Sequence, residues 1–301
     1  DTANCTASTR VSAQGVQTVS ARCRDQTGAV GTASIVVKID TTAPTISVSA
    51  TKDKGTPYMA GSWSNQAVTL HYTCADSAGG SGVASCPPDR IFGADGVTAL
   101  VSGSVADLAG NTATASFGPI KIDRTAPTLS PTIAPKPVYL GSRPRASANA
   151  TDAGSGVASQ ICGAPNTSTI GSKSLTCSAT DRAGNSASAT LYYHVVYPFS
   201  GFFDPIKAPP KLNVVNAGSS VPVKFSLGGN YGLNILESGY PRSLAINCST
   251  GAPIGQPERT VSTNGGLRYE ASTRQYSYNW KTNSSWSNSC LNRASLWSRR
   301  S

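Results

Sequence analysis

Catalysis needs nucleophiles, bases and paired acids, and this chain is poor in them. It has two histidines, His71 and His194, and three glutamates, Glu237, Glu258 and Glu270, in 301 residues. A hydrolytic triad requires a nucleophile, a base and an orienting group within hydrogen-bond reach. His71 lies in Leu70-His71-Tyr72-Thr73-Cys74 and His194 in a closing alternating strand, and nothing in the sequence pairs either with a nucleophile. Outward strand positions account for both. Glycosidase chemistry needs two carboxyl groups about 5–9 Å apart, and no two glutamates are marked as such a pair. The chain therefore reads as a non-enzyme.

Metal chemistry has two candidates, and the sequence treats them differently. The eight cysteines fall as Cys5/Cys23, Cys74/Cys86, Cys162/Cys177 and Cys248/Cys290, with no CxxC and no neighbouring histidine. That pattern argues against zinc and for structural disulfides in an oxidising compartment. Asp40, Asp76, Asp107, Asp123, Asp152 and Asp181 fall in turns and junctions. Oxygen ligands in such loops could hold Ca²⁺, with Asp40, Asp76, Asp107 and Asp123 as the first candidates. The spacing of a known calcium loop is missing, however, and Asx turns explain the same residues. The later junction Val196-Tyr197-Pro198 has no Asp and should be metal-free. No other cofactor is indicated.

Binding chemistry gathers in the last third. Residues 199–301 carry +7 of the net charge of +10, which favours acidic partners. The same stretch holds Tyr269, Tyr276, Tyr278, Trp280, Trp286 and Trp297, interleaved with Arg268, Arg274 and Lys281. Tyr276, Tyr278 and Trp280 share strand parity and so one face. Either that face stacks on sugar rings and grips an anionic polymer or glycan, or it is the core of its domain, the reading we favour. No motif of a specific nucleic-acid reader is present.

The elements that must position these groups are strands. Charge is low at 13%, Gly, Ser and Thr abound, and the apolar runs are short and often β-branched, which favours many short strands joined by tight turns. No stretch approaches the roughly 18 apolar residues of a spanning helix, so no transmembrane segment is expected. Asp1-Thr2-Ala3-Asn4-Cys5 has no leader character, so any signal peptide should already have been removed.

The chain repeats itself. Lys38-Ile39-Asp40-Thr41-Thr42-Ala43-Pro44 recurs as Lys121-Ile122-Asp123-Arg124-Thr125-Ala126-Pro127. Ser81-Gly82-Val83-Ala84-Ser85 recurs at Ser155–Ser159. Asp107-Leu108-Ala109-Gly110-Asn111 recurs as Asp181-Arg182-Ala183-Gly184-Asn185, with a degenerate copy at Asp25-Gln26-Thr27-Gly28-Ala29. A period of about 75–85 residues suits a seven-strand sandwich. The Ala-Gly-Asn pieces tolerate positive φ and should form the hairpin turn before each closing strand. Pro44 and Pro127 stiffen the junctions.

These marks resemble bacterial extracellular Ig-like repeats of the hyalin-repeat-like kind, over roughly residues 1–197. The resemblance implies β-sandwich stalks of large surface or secreted proteins. After Tyr197 the pattern changes. Pro222-Val223-Lys224-Phe225, Tyr240-Pro241, Cys248, Tyr278-Asn279-Trp280-Lys281-Thr282 and Cys290 resemble the PxKF domain of secreted bacterial proteins. In similar domains a strand or two would follow the last cysteine, whereas residues 291–301 show no alternation.

The expected fold is all-β: tandem immunoglobulin-like β-sandwich modules with a C-terminal β-rich domain. The divisions are 1–40 (the second half of a repeat), 41–123, 124–197 and 198–301. Disulfides should join neighbours within each module. Gly103 stands where Cys177 stands in the next repeat, so Cys86 must find Cys74. Residues 1–40 lack the opening strands. Either the chain is a fragment or another chain supplies them, which would permit head-to-tail self-association. The expected role is a structural or adhesive segment of an extracellular or cell-surface protein. The alternatives are a carbohydrate-binding accessory region of a secreted hydrolase, or a subunit of an extracellular fibre or virion appendage.

Overall fold

The computed structural model describes residues 4–6, 10–207, 213–236, 240, 242–250, 252, 254, 258–259, 261–286 and 289–292. It is all-β, 52% strand and 2% helical, the helical part being single turns at Asp53–Gly55 and Ser284–Trp286. No helix among the described residues is long and apolar enough to cross a membrane. Two compact units result. One holds Asp1–Thr132, Ala146–Ala164 and Leu175–Leu191; the other holds Ile133–Arg145, Pro165–Ser174 and Tyr192–Ser301. This division is coarser than the repeats and passes through the long strands Gly171–Asp181 and Ser186–Val196.

The first unit begins with a hairpin of two ten-residue strands, Gly15–Arg24 against Val30–Ile39, flanked by Asn4–Thr6. Asp25 makes the turn: its Oδ1 accepts from the N–H groups of Thr27 and Ala29, each at 2.9 Å, and Gly28 takes φ +89°. The expected alternation does not bury the closing strand. Ile35 and Val36 are 64% and 70% exposed, because this sheet has no second layer over it among the described residues.

Residues 45–122 do have a core. Thr45–Lys52, Val68–Ala75 and Arg90–Phe92 form one sheet, and Val83–Ser85, Val101–Asp107 and Thr112–Phe117 form another. Even-numbered positions of the first sheet point inward. Ala50, Val68 and Leu70 pack with Tyr58, Val101, Ile120 and Ile122, and with Val48, Tyr72, Phe92 and Phe117. Burying such a set removes apolar surface from water at about 25 cal/mol per Å². The buried Tyr58 hydroxyl donates to Ser62 O at 2.6 Å and accepts from Lys121 N at 3.0 Å, so its polar end costs little.

Val157–Cys162 pairs antiparallel with Gly171–Asp181, from Val157↔Asp181 to Cys162↔Cys177. In the second unit Val138–Tyr139 adds in parallel to Val195 and Val196. Further along that unit are a four-stranded sheet in the order Ser200–Phe203, Ser220–Ser226, Gln275–Lys281, Val261–Glu270, and a three-stranded one in the order Glu258–Arg259, Arg242–Ile246, Cys290–Asn292. Val223 and Phe225 of the Pro-Val-Lys-Phe string are core residues, 2% and 0% exposed. Pro222 is tolerated because Ser200–Phe203 pairs only with residues 224–226. At residue 222 the strand has a single neighbour and the missing N–H leaves no gap in a second ladder.

The last described residues form a short strand. Cys290–Asn292 pairs with Arg242–Ile246 in the register Leu244↔Asn292 to Ile246↔Cys290. Backbone hydrogen bonding with a partner decides this, and alternation is not required over three residues. Residues 293–301 lie outside the described residues.

Candidate functional site

The six aspartates meet as two trios. Asp40, Asp76 and Asp107 each bring a carboxylate oxygen within 4.8 Å of the other two, and Asp123, Asp152 and Asp181 do the same. Asp40 and Asp123 directly follow the strands Val30–Ile39 and Ile120–Ile122. Asp107 and Asp181 end Val101–Asp107 and Gly171–Asp181. The middle aspartate of each trio lies in the loop before Ser-Gly-Val-Ala-Ser.

The two joints use the same hydrogen bonds. Asp40 Oδ2 accepts from Ser81 N at 2.5 Å, and Asp123 Oδ2 from Ser155 N at 2.6 Å. Asp76 accepts from Gly82 N and Asp152 from Gly156 N, both at 2.6 Å. Asn111 Nδ2 donates to Asp107 Oδ2 at 2.8 Å and Asp40 O at 3.1 Å. Asn185 Nδ2 donates to Asp181 Oδ2 at 2.7 Å and Asp123 O at 2.8 Å. Ala109 N and Ala183 N donate to the hydroxyls of Ser81 and Ser155. Each junction residue is thus tied to both the loop and the turn of the repeat that follows. At the first joint Gln14 adds a tie to the preceding hairpin, donating to Asp40 Oδ1 at 2.9 Å and accepting from Thr41 N at 2.7 Å.

These donors favour the charged form of the two junction carboxylates, Asp40 and Asp123. The Gln14 amide, with Ser81 and Thr42, keeps Asp40 well below the usual carboxylate range. Burial pushes Asp123 up, but hydrogen bonds from Ser155 and Thr125 outweigh it and the net shift is downward. The pairs Arg124–Asp95 and Lys207–Asp204 and the His71–Asp89 contact involve none of the six. A hard-oxygen donor set of this kind suits Ca²⁺. Each joint also has a glycine that gives the carboxylates room. A Cβ on Gly80 would lie 2.6 Å from Asp76 Oδ2, and one on Gly154 would lie 2.5 Å from Asp123 Oδ2.

The sequence pointed to the aspartates and missed their holders: Gln14, Ser81, Ser155, Asn111 and Asn185. The last four sit inside marks that recur between repeats, and that recurrence was the available signal. Gln14 has no counterpart and left none.

The aromatic and basic candidates of the last third separate. Tyr276 and Tyr278 are 0% and 6% exposed and pack with Phe225, Leu227, Ile235 and Leu267. Rings so enclosed offer no face to a sugar, so as stacking residues they are withdrawn. Tyr269, Trp280 and Trp286 are half-buried, and Trp280 and Trp286 lie 6.1 Å apart. Arg268, Arg274 and Lys281 are exposed. Trp297 and Glu237 lie outside the described residues.

Disulfides join Cys74 to Cys86, Cys162 to Cys177 and Cys248 to Cys290, as expected. Cys23 is also bonded and faces Cys5 in strand register; the side chain of Cys5 lies outside the described residues. Gly103 shows why the repeats staple differently. Where the next repeat has Cys177, the Tyr72 ring fills the space, and a Cβ on Gly103 would fall 2.4 Å from a ring carbon.

One constellation was not legible in the sequence. His71 is flanked on both sides: Nε2 lies 2.9 Å from Thr51 Oγ1 and Nδ1 lies 2.7 Å from Asp89 Oδ2. Thr51 and Asp89 are 20 and 18 positions from His71 in the chain and meet it only through strand pairing. His194 has a looser contact, 3.3 Å from Ser172 Oγ.

Comparison of the chain with protein-family models and with curated proteins finds no match.

Proposed function

We propose that the chain is a non-enzymatic structural and adhesive segment of a secreted or cell-surface bacterial protein, in which Ig-like spacer modules carry a terminal contact module. The observation that supports this reading is the joint that occurs twice. The same Asp, Ser and Asn tethers fix successive linkers, Asp40–Pro44 and Asp123–Pro127, to the repeat that follows. A repeated stiff linker serves to hold modules in a set relation, which a spacer needs and a catalyst does not. The disulfides fit an oxidising exterior.

Calcium is the cation this reading assigns to the joints. Asp40, Asp76 and Asp107 would hold one ion and Asp123, Asp152 and Asp181 another. The ion would offset the charge gathered in each trio, where the protein's own donors already favour the charged form of Asp40 and Asp123. Calorimetry of the intact chain in excess Ca²⁺ and in a chelator tests the assignment. Saturation at about 100 times Kd should stabilise the folded state by about 2.7 kcal/mol per site, and the doubly substituted Asp40→Asn, Asp123→Asn chain should lose the response. Identical melting in both buffers would remove calcium. Native-state hydrogen exchange tests the joints themselves: the Ser81 and Ser155 amides should be protected, and exchange at free-chain rates would overturn the spacer reading.

A further inference from the structure

Thr51, His71 and Asp89 lie on the outer face of the sheet whose inner face carries Ala50, Val68 and Leu70. The pairing explains the meeting. Thr45–Lys52 lies on one side of Val68–Ala75 with Thr51 opposite Thr69, and Arg90–Phe92 lies on the other with Arg90 opposite Leu70. Thr51 is therefore diagonal to His71 on one flank, and Asp89 precedes the paired strand on the other. The Cys74–Cys86 bond ties down the chain just before Asp89.

The order is nucleophile, base, orienter. With the ring proton on Nδ1, His71 donates to Asp89 Oδ2 at 2.7 Å, and Nε2 is left to accept from the Thr51 hydroxyl at 2.9 Å. Those distances lie within the range in which a base can take a proton from a nucleophile. The side chains of His71 and Asp89 are 39% and 56% exposed, so an incoming molecule can reach the group.

We propose that Thr51 is an acyl-accepting nucleophile, activated by His71 and positioned through Asp89, that takes its acyl group from an activated ester or thioester presented by another molecule. Thr51 Oγ1 attacks the carbonyl carbon, and its proton passes to His71 Nε2. The bond from that carbon to the alkoxide or thiolate breaks, and the leaving group takes the proton from the imidazolium. The product is an ester on Thr51 and a free alcohol or thiol. One covalent attachment results, without turnover. This inference does not rest on the spacer reading and stands or falls separately from it.

The test uses the intact chain and p-nitrophenyl acetate. p-Nitrophenolate release is followed, and the acetyl group is located by peptide mass mapping before and after hydroxylamine. The expected result is one hydroxylamine-labile acetyl on Thr51, absent in Thr51→Val and retained in Thr51→Ser. His71→Gln should slow acylation about 100-fold, the low end of the range for general bases. Asp89→Asn should also slow it and, by ¹⁵N NMR of the ring, move the His71 proton from Nδ1. Acetyl groups on lysines alone would overturn the proposal. So would release of p-nitrophenolate without acetyl on Thr51, or a His71→Gln rate equal to that of the parent.

Discussion

At the scale of single residues, Gly103 carries a sharp consequence. It lies in Val101–Asp107 with the Tyr72 ring against it. An added methyl must displace an aromatic ring in a packed interior, where overpacking costs about 1–3 kcal/mol. Gly103→Ala should therefore lower the stability of the chain by that amount in urea unfolding, with an unchanged m-value. The companion Gly103→Ala, Tyr72→Ala chain should lack the clash, so the two substitutions should be non-additive. Additive losses would mean that the ring does not set the constraint. The same residue explains the choice of disulfide. A ring occupies the space that the neighbouring repeat gives to Cys177, and Cys86 closes on Cys74 instead.

At the scale of the element, the joints respond to acid. Asp40 and Asp123 are held below the usual carboxylate range, and Asp25, Asp204 and Glu270 shift the same way. A depressed folded-state pKa gives stability that is complete above the unfolded value, about 3.9 for Asp. That stability is lost as the pH falls through the folded value. Melting temperature should hold level down to about pH 4–5 and decline below it. Gln14 is the first cause of the Asp40 shift. Gln14→Ala should lower the melting temperature at neutral pH and make the acid decline shallower, because the gap between folded and unfolded pKa narrows. An acid decline identical to that of the parent would show that the first joint does not depend on this tether.

At the scale of the whole molecule, charge is uneven: +7 of +10 lies in residues 199–301. Arg268, Arg274 and Lys281 are exposed there, while Tyr276 and Tyr278 lie inside. Contact with an acidic partner through that region should therefore depend on charge more than on stacking. Binding to dextran sulfate, followed by titration calorimetry, should weaken steeply as the Debye length falls from about 10 Å at 0.1 M salt to about 3 Å at 1 M. Affinity that persists at 1 M salt would return the interaction to the half-buried Tyr269, Trp280 and Trp286.

Strand content, turn positions and the three defined disulfide pairings could be read from the sequence because they are local. A Gly at positive φ, an Asp that accepts from amides two and four residues on, and cysteines 12 to 42 positions apart are fixed by short stretches of chain. The six aspartates were legible for the same reason, since each terminates a strand or sits in a turn. Their gathering into trios was not, because Asp40, Asp76 and Asp107 follow or end strands of three different sheets and come together only in the folded chain. Parity along Gln275–Lys281 put Tyr276 and Tyr278 on one face but could not say which face met the core; packing against Phe225 and Leu267 decided that. Thr51, His71 and Asp89 mark the limit of reading along the chain. Each is an ordinary residue in its own segment, and their alignment depends on the register between three strands, a property set by burial of Ala50, Val68 and Leu70 on the opposite face.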